Sequence, residues 1–167
     1  GVVPPTLQAS YRSDPQSMER ILEDTKNLAE LEASGLNGLT ALQVAASLND
    51  VETLDVLYRH GADVNARHPF AESTALHFAV EMNAVQAIES LCEHDATVDA
   101  QKIDGGQPIH IAADLCHAQA LEALLSPPCS ADKDAIMLGD TTPLYLGIGF
   151  EWVFFSLSFF LLSESLY

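Results

Sequence analysis

The sequence predicts an all-α solenoid, in which helix-turn-helix units stack side by side and short hairpin or loop fingers join them. Three observations carry that prediction. Four similar segments begin at residues 38, 72, 105 and 140, and so recur 34, 33 and 35 residues apart: Gly38-Leu-Thr-Ala-Leu-Gln-Val-Ala-Ala46, Glu72-Ser-Thr-Ala-Leu-His-Phe-Ala-Val80, Gly105-Gly-Gln-Pro-Ile-His-Ile-Ala-Ala113 and Asp140-Thr-Thr-Pro-Leu-Tyr-Leu-Gly-Ile148. A second landmark follows 19 residues after Leu42, Leu76 and Ile109, as Gly61-Ala-Asp-Val-Asn-Ala66, Asp95-Ala-Thr-Val-Asp-Ala100 and a diverged Pro128-Cys-Ser-Ala131. Between the landmarks, apolar residues fall at helical spacing. A period of roughly 20–50 residues is what a stack of small units leaves in a sequence, since no single unit buries its own apolar face.

Taken in order, residues 1–13 carry no landmark and are expected to be a disordered N-terminal segment. Ser13-Asp14-Pro15 reads as a helix start ahead of Met18, Ile21, Leu22 and Leu28. Leu28-Ala-Glu-Leu-Glu-Ala33 stands where a worn tip belongs, so residues 14–37 are expected to be a degenerate capping repeat. Three units follow, at 38–71, 72–104 and 105–139. In these, Thr40 and Thr74 can cap the first helix through their hydroxyls, and Pro108 suits a first helical turn. Leu42, Leu76 and Ile109 are the expected buried anchors, joined by Leu144 in the fourth segment. Ala45-Ala46, Ala79 and Ala112-Ala113 form helix well and let neighbouring helices approach closely. The second helices carry Val51, Leu54 and Leu57; Val85, Ile88 and Leu91; and Ala118, Leu121 and Leu124 at helical spacing. Asn49, Asn83 and Cys116 stand between the helices of each pair, where a left-handed backbone suits Asn better than Cys. In the third unit Ser126-Pro127-Pro128-Cys129 replaces the tip and predicts an irregular finger, because Pro cannot donate into a hairpin ladder. Residues 140–167 begin as an incomplete repeat and run into an apolar tail whose only charge before Glu164 is Glu151.

These landmarks resemble the ankyrin repeat, whose hallmarks are a Thr-Pro-Leu-His helix start and a Gly-Ala-Asp-Val-Asn tip. The resemblance covers about residues 28–148 and implies an ankyrin-repeat solenoid: antiparallel helix pairs, each followed by a finger projecting at right angles. It also implies that the first helices and fingers line a concave face that grips partner proteins. For His77 and His110 it implies a structural role, bridging adjacent repeats by hydrogen bonds. Gln43 and Tyr145, at the matching positions, keep that bonding ability.

Composition narrows the function. With 48% hydrophobic residues the chain of 167 can bury a core. Its 7 Lys plus Arg face 24 Asp plus Glu, a formal net charge of -17. Such a surface repels phosphate backbones, so no nucleic acid is expected, and a basic protein surface is the natural complement. Cys92, Cys116 and Cys129 are odd in number and lack a Cys-x-x-Cys pair, which argues against a disulfide framework or a zinc site and for a reducing, cytoplasmic setting. The N-terminus, Gly1-Val2-Val3-Pro4-Pro5, has neither an initiator Met nor a signal pattern, so the chain is expected to begin inside a larger product. No phosphate-binding loop, nucleophile elbow or His-Glu-x-x-His pattern occurs, and His77 and His110 lie far from the spacing of a helical metal pair. Neither catalysis, nor a cofactor, nor a metal is expected.

The partner-binding candidates follow from position. Val44 with Leu48, Phe78 with Met82, and Ile111 with Leu115 form apolar pairs four residues apart on equivalent first helices. Packing against the adjacent repeat is the favoured role for Val44, Phe78 and Ile111, whereas Leu48, Met82 and Leu115 are sharper binding candidates. Ser47, Glu81 and Asp114 edge the row with acid, which suits a basic amphipathic helix or an extended basic peptide. Arg67, His68, Phe70, Lys102, Ile103 and Asp104 are the finger candidates, with Phe70 as an exposed anchor. The expected function is a protein-protein interaction scaffold. Two alternatives are a non-catalytic targeting region of a larger enzyme or ubiquitin-ligase adaptor, and a membrane-anchored protein held by residues 144–162. That stretch is near the ~20 residues a bilayer span needs, though no Lys or Arg flanks it.

Overall fold

A computed structural model describes residues 3–25, 31–35 and 37–135. Among them are eight helices in four antiparallel pairs: α1 (Pro5–Tyr11) with α2 (Pro15–Thr25), α3 (Ala41–Ser47) with α4 (Val51–Arg59), α5 (Ala75–Glu81) with α6 (Val85–Glu93), and α7 (Pro108–Asp114) with α8 (Ala118–Leu125). The first helices α1, α3, α5 and α7 pack in series as one layer, and the second helices α2, α4, α6 and α8 as another. No strand occurs among the described residues. The fourth landmark at 140 and the apolar stretch 144–162 lie outside the described residues. Within the described residues no helix is long and apolar enough to cross a membrane.

The core follows the repeat. Leu42, Leu76 and Ile109 are buried and share one continuous apolar cluster with Leu54, Leu57, Ile88, Leu91, Leu121 and Leu124. The alanines of the first helices are buried with them, which is why helices only seven residues long can lie so close. Each pair reverses through one left-handed residue: Ser13 (φ 49), Asn49 (φ 57), Asn83 (φ 53) and Cys116 (φ 55). A second left-handed position precedes α3, α5 and α7, occupied by Gly38 (φ 81), Glu72 (φ 56) and Gly105 (φ 82). The fingers are turns rather than hairpin ladders. In each two backbone bonds close the loop: Gly35 N to Leu39 O with Gly38 N to Gly35 O, His68 N to Ser73 O with Glu72 N to His68 O, and Lys102 N to Gly106 O with Gly105 N to Lys102 O.

Two expectations are corrected. Within residues 1–13, expected to be disordered, Pro5–Tyr11 is helical, and it makes the capping unit a helix pair in which Leu7, Ala9 and Met18 are buried. Counted back from the left-handed Ser13, Thr6 takes the anchor position of Leu42, and Leu7 takes the position of Gln43 and His77. The substituted anchor hides the motif, while packing against α3 still buries the helix. The cysteine arithmetic also fails, because Cys92 and Cys129 form a disulfide and only Cys116 is free. Their separation of 37 residues is close to one repeat, and stacking brings residues about one repeat apart side by side. A reducing compartment therefore no longer follows from the cysteines.

Candidate functional site

Each first helix runs from the base of a finger to the left-handed turn, a length of about 10 Å for seven residues. Its last residue before the turn is Leu48 in α3, Met82 in α5 and Leu115 in α7, each the C-cap of its helix. The chain reverses there and leaves part of each side chain in water. These three are 48%, 63% and 45% exposed, against complete burial for the anchors six residues before them. Because α3, α5 and α7 are stacked, the three side chains form one apolar row. The preceding positions edge it with Ser47, half-buried Glu81 and exposed Asp114. Four residues before the row, Val44 is fully buried, while Phe78 and Ile111 are half-buried.

At the other end of the first helices, Phe70 and Ile103 project from their fingers at 74% and 70% exposure. His68 joins Phe70 to the helix layer. Its Nε2 donates to the Asn37 carbonyl (2.8 Å), which leaves Nδ1 to accept from the backbone N–H of Ala71 (3.2 Å). The ring so held meets Phe70 and Phe78 edge-on, with centroids 5.8 and 6.0 Å away. Phe78, His68 and Phe70 are thus one aromatic run from helix to fingertip. Arg67 donates to the Gln101 carbonyl of the next finger (2.7 Å) and pairs with Glu72. Lys102 pairs with Asp104 at 3.0 Å. Both cations on this side are engaged within the chain.

His77 and His110 lie in the interior between units. The His77 Nδ1 accepts from the Thr74 N–H (3.1 Å), and its Nε2 donates to the Gly106 carbonyl of the next unit (3.3 Å). Burial pushes its pKa down to about 4, helped by the nearby Lys102 and Arg67 charges, so the ring is neutral. His110 makes the same pair of bonds with Gln107 and Ala135, and Gln43 with Thr40 and Ala66, but in these two the second partner lies in the residue's own unit. Thr40 caps α3 as expected, its hydroxyl accepting from Gln43 N, whereas the Thr74 hydroxyl lies 3.0 Å from the His77 Nδ1. Among the described residues no group of three or more His, Cys, Asp or Glu could hold a metal ion.

Sequence reasoning missed two features. Tyr11, half exposed, occupies in α1 the register of Ser47, Glu81 and Asp114, and Arg12 occupies that of Leu48. The disordered reading of residues 1–13 hid both. The turn asparagines also do more than tolerate their backbone. Asn49 Oδ1 accepts from Ala87 N (2.9 Å) and Asn83 Oδ1 from Ala120 N (3.1 Å), so each caps the second helix of the following unit. Those helices begin after Ala84 and His117, neither of which makes a side-chain cap bond, whereas Asp50 caps its own helix through Thr53. Beside these turns a groove of about 540 Å³ runs between α6 and α8, carrying the exposed Glu89 and Glu122.

The family model described as ankyrin repeats (3 copies) matches the chain over residues 6–104 and again over 67–137. No curated protein matches it.

Proposed function

The chain belongs to the ankyrin-repeat family, and from that premise we propose that it is a protein-interaction scaffold holding a partner protein on its first helices and fingers. The observation that carries the reading is the row of Leu48, Met82 and Leu115. Three large apolar side chains are left about half exposed at one register of three stacked units, and such contiguous exposure marks an interaction surface. Phe70 and Ile103 supply further anchors at the fingertips. The net charge of -17 and the self-paired Arg67 and Lys102 leave the face a field that attracts a basic partner.

The test is to recover a partner from native extract with the full chain, then to measure affinity by calorimetry for defined variants. Met82→Lys and Phe70→Ala each alter an exposed side chain. Each is expected to weaken binding by about 1–3 kcal/mol while leaving the melting temperature unchanged. Affinity is also expected to fall as salt rises. Unchanged affinity in both variants moves the site off this face.

A further inference from the structure

We infer that the partner presented to this row is an amphipathic helix with apolar residues at every seventh position and basic flanks, lying across α3, α5 and α7. The inference rests on the scaffold reading above and adds the shape of what is held. Packed helices lie about 8–10 Å apart, which sets the step between Leu48, Met82 and Leu115. Residues seven apart on a helix are about 10.5 Å apart along its axis and share nearly one face. One apolar residue of such a helix therefore meets each unit of the row. A β-strand does not match, because residues on its same face recur at about 6.6 or 13 Å.

A polyproline-type segment repeats at about 9.3 Å and matches in length, but its backbone carbonyls depend on water that an apolar row displaces. Most donors along the row are already engaged within the chain. The Ser47 hydroxyl donates to the Val44 carbonyl at 2.8 Å, and Glu81 and Asp114 are acceptors. The backbone N–H groups of Leu48, Met82 and Leu115 donate to Val44, Phe78 and Ile111. The Asn49 and Asn83 amides are turned to Gln86 and Gln119. A helix satisfies its own backbone and needs only apolar contact along its seam and cations at its edges. Glu81 and Asp114 lie beside the row on α5 and α7, and the three units of the row bring no cation to that register. In the capping unit this register holds Arg12, so among the described residues the apolar row spans three units.

Two synthetic peptides of about 18 residues and identical composition, rich in Ala and Lys with three leucines, test this on the full-length chain. In one the leucines fall at every seventh position; in the other at every fifth, which scatters them around the helix. Fluorescence anisotropy is expected to show the first binding at least about tenfold more tightly. The Met82→Lys and Leu115→Lys chains, shown by circular dichroism to melt like the parent, are expected to lose that preference. Equal affinity of the two peptides, or a preference that survives Met82→Lys, overturns the helical partner. A native partner that is lost in Met82→Lys while the peptides go undiscriminated overturns the helix but leaves the scaffold standing. Tighter binding of a proline-rich peptide with leucine at every third position assigns the row to an extended segment instead.

Discussion

Asp95 holds a left-handed backbone (φ 62) just past the end of α6, where the preceding unit has Gly61 (φ 85). An L-residue there brings its Cβ too close to the carbonyl oxygen, at a cost of about 1–2 kcal/mol. The Asp95 carboxylate also sits at the negative end of a helix dipole. Asp95→Gly is therefore expected to stabilise the fold by about 1 kcal/mol, after allowing for the greater freedom glycine has when unfolded. The urea midpoint measures it. At His77 the consequence is pH dependence. Its folded pKa is about 4 and its ordinary value 6.5, so above pH 6.5 both states are neutral and its contribution is intact. As pH falls from 6.5 to 4 the unfolded chain takes up a proton that the folded chain refuses. Stability drops, at about 1.4 kcal/mol per pH unit and about 3 kcal/mol in all. His77→Gln, copying what Gln43 does one unit earlier, is expected to remove that part of the acid slope. A slope unchanged in the variant, read by denaturant titration at several pH values, assigns it to other groups.

At the scale of the element, the unit is a helix pair whose ends are completed by its neighbours. Asn83 illustrates this, since its side chain caps α8, a helix that begins 35 residues later. Asn83→Ala removes that cap and puts a β-carbon with no compensating bond at a left-handed position. It is expected to cost about 1–2 kcal/mol, measured by chemical denaturation. Within a unit the sequence was legible, because helix periodicity, Pro at the first turn and Asn at the reversal are local signals. The Asn83 cap was not, because its partner is the backbone of another unit and any residue but proline at position 120 supplies the same N–H. The α1 helix escaped for a related reason: with Thr6 in the anchor position its local signal is weak, and burial against α3 holds it in place.

For the whole molecule the weak point is the C-terminal side of the described array. Only the pairing of Cys92 with Cys129 ties the irregular segment after α8 covalently back to α6. Closing 37 residues removes chain entropy from the unfolded state, in a model that puts typical disulfides at about 2–4 kcal/mol. Reduction, or the double replacement of Cys92 and Cys129 by Ser, is expected to lower stability by that amount in calorimetric or denaturant unfolding. An unchanged midpoint on reduction shows that helix stacking alone holds this end.

The repeat period, the buried anchors and the acidic balance could be read from the sequence alone, since each is a property of composition or of spacing along one unit. That determined a stack of helix pairs and set the expectation of a basic partner. The candidate surface was half legible: Leu48, Met82, Leu115 and Phe70 could be named as apolar residues at recurring positions, but period alone cannot say which of two apolar neighbours faces water. Stacking decided that Val44 is buried and Leu48 is not, that Arg67 and Lys102 are engaged within the chain, and that Cys92 meets Cys129. Each of these depends on distances between residues about one repeat apart, which exist only once the units lie side by side.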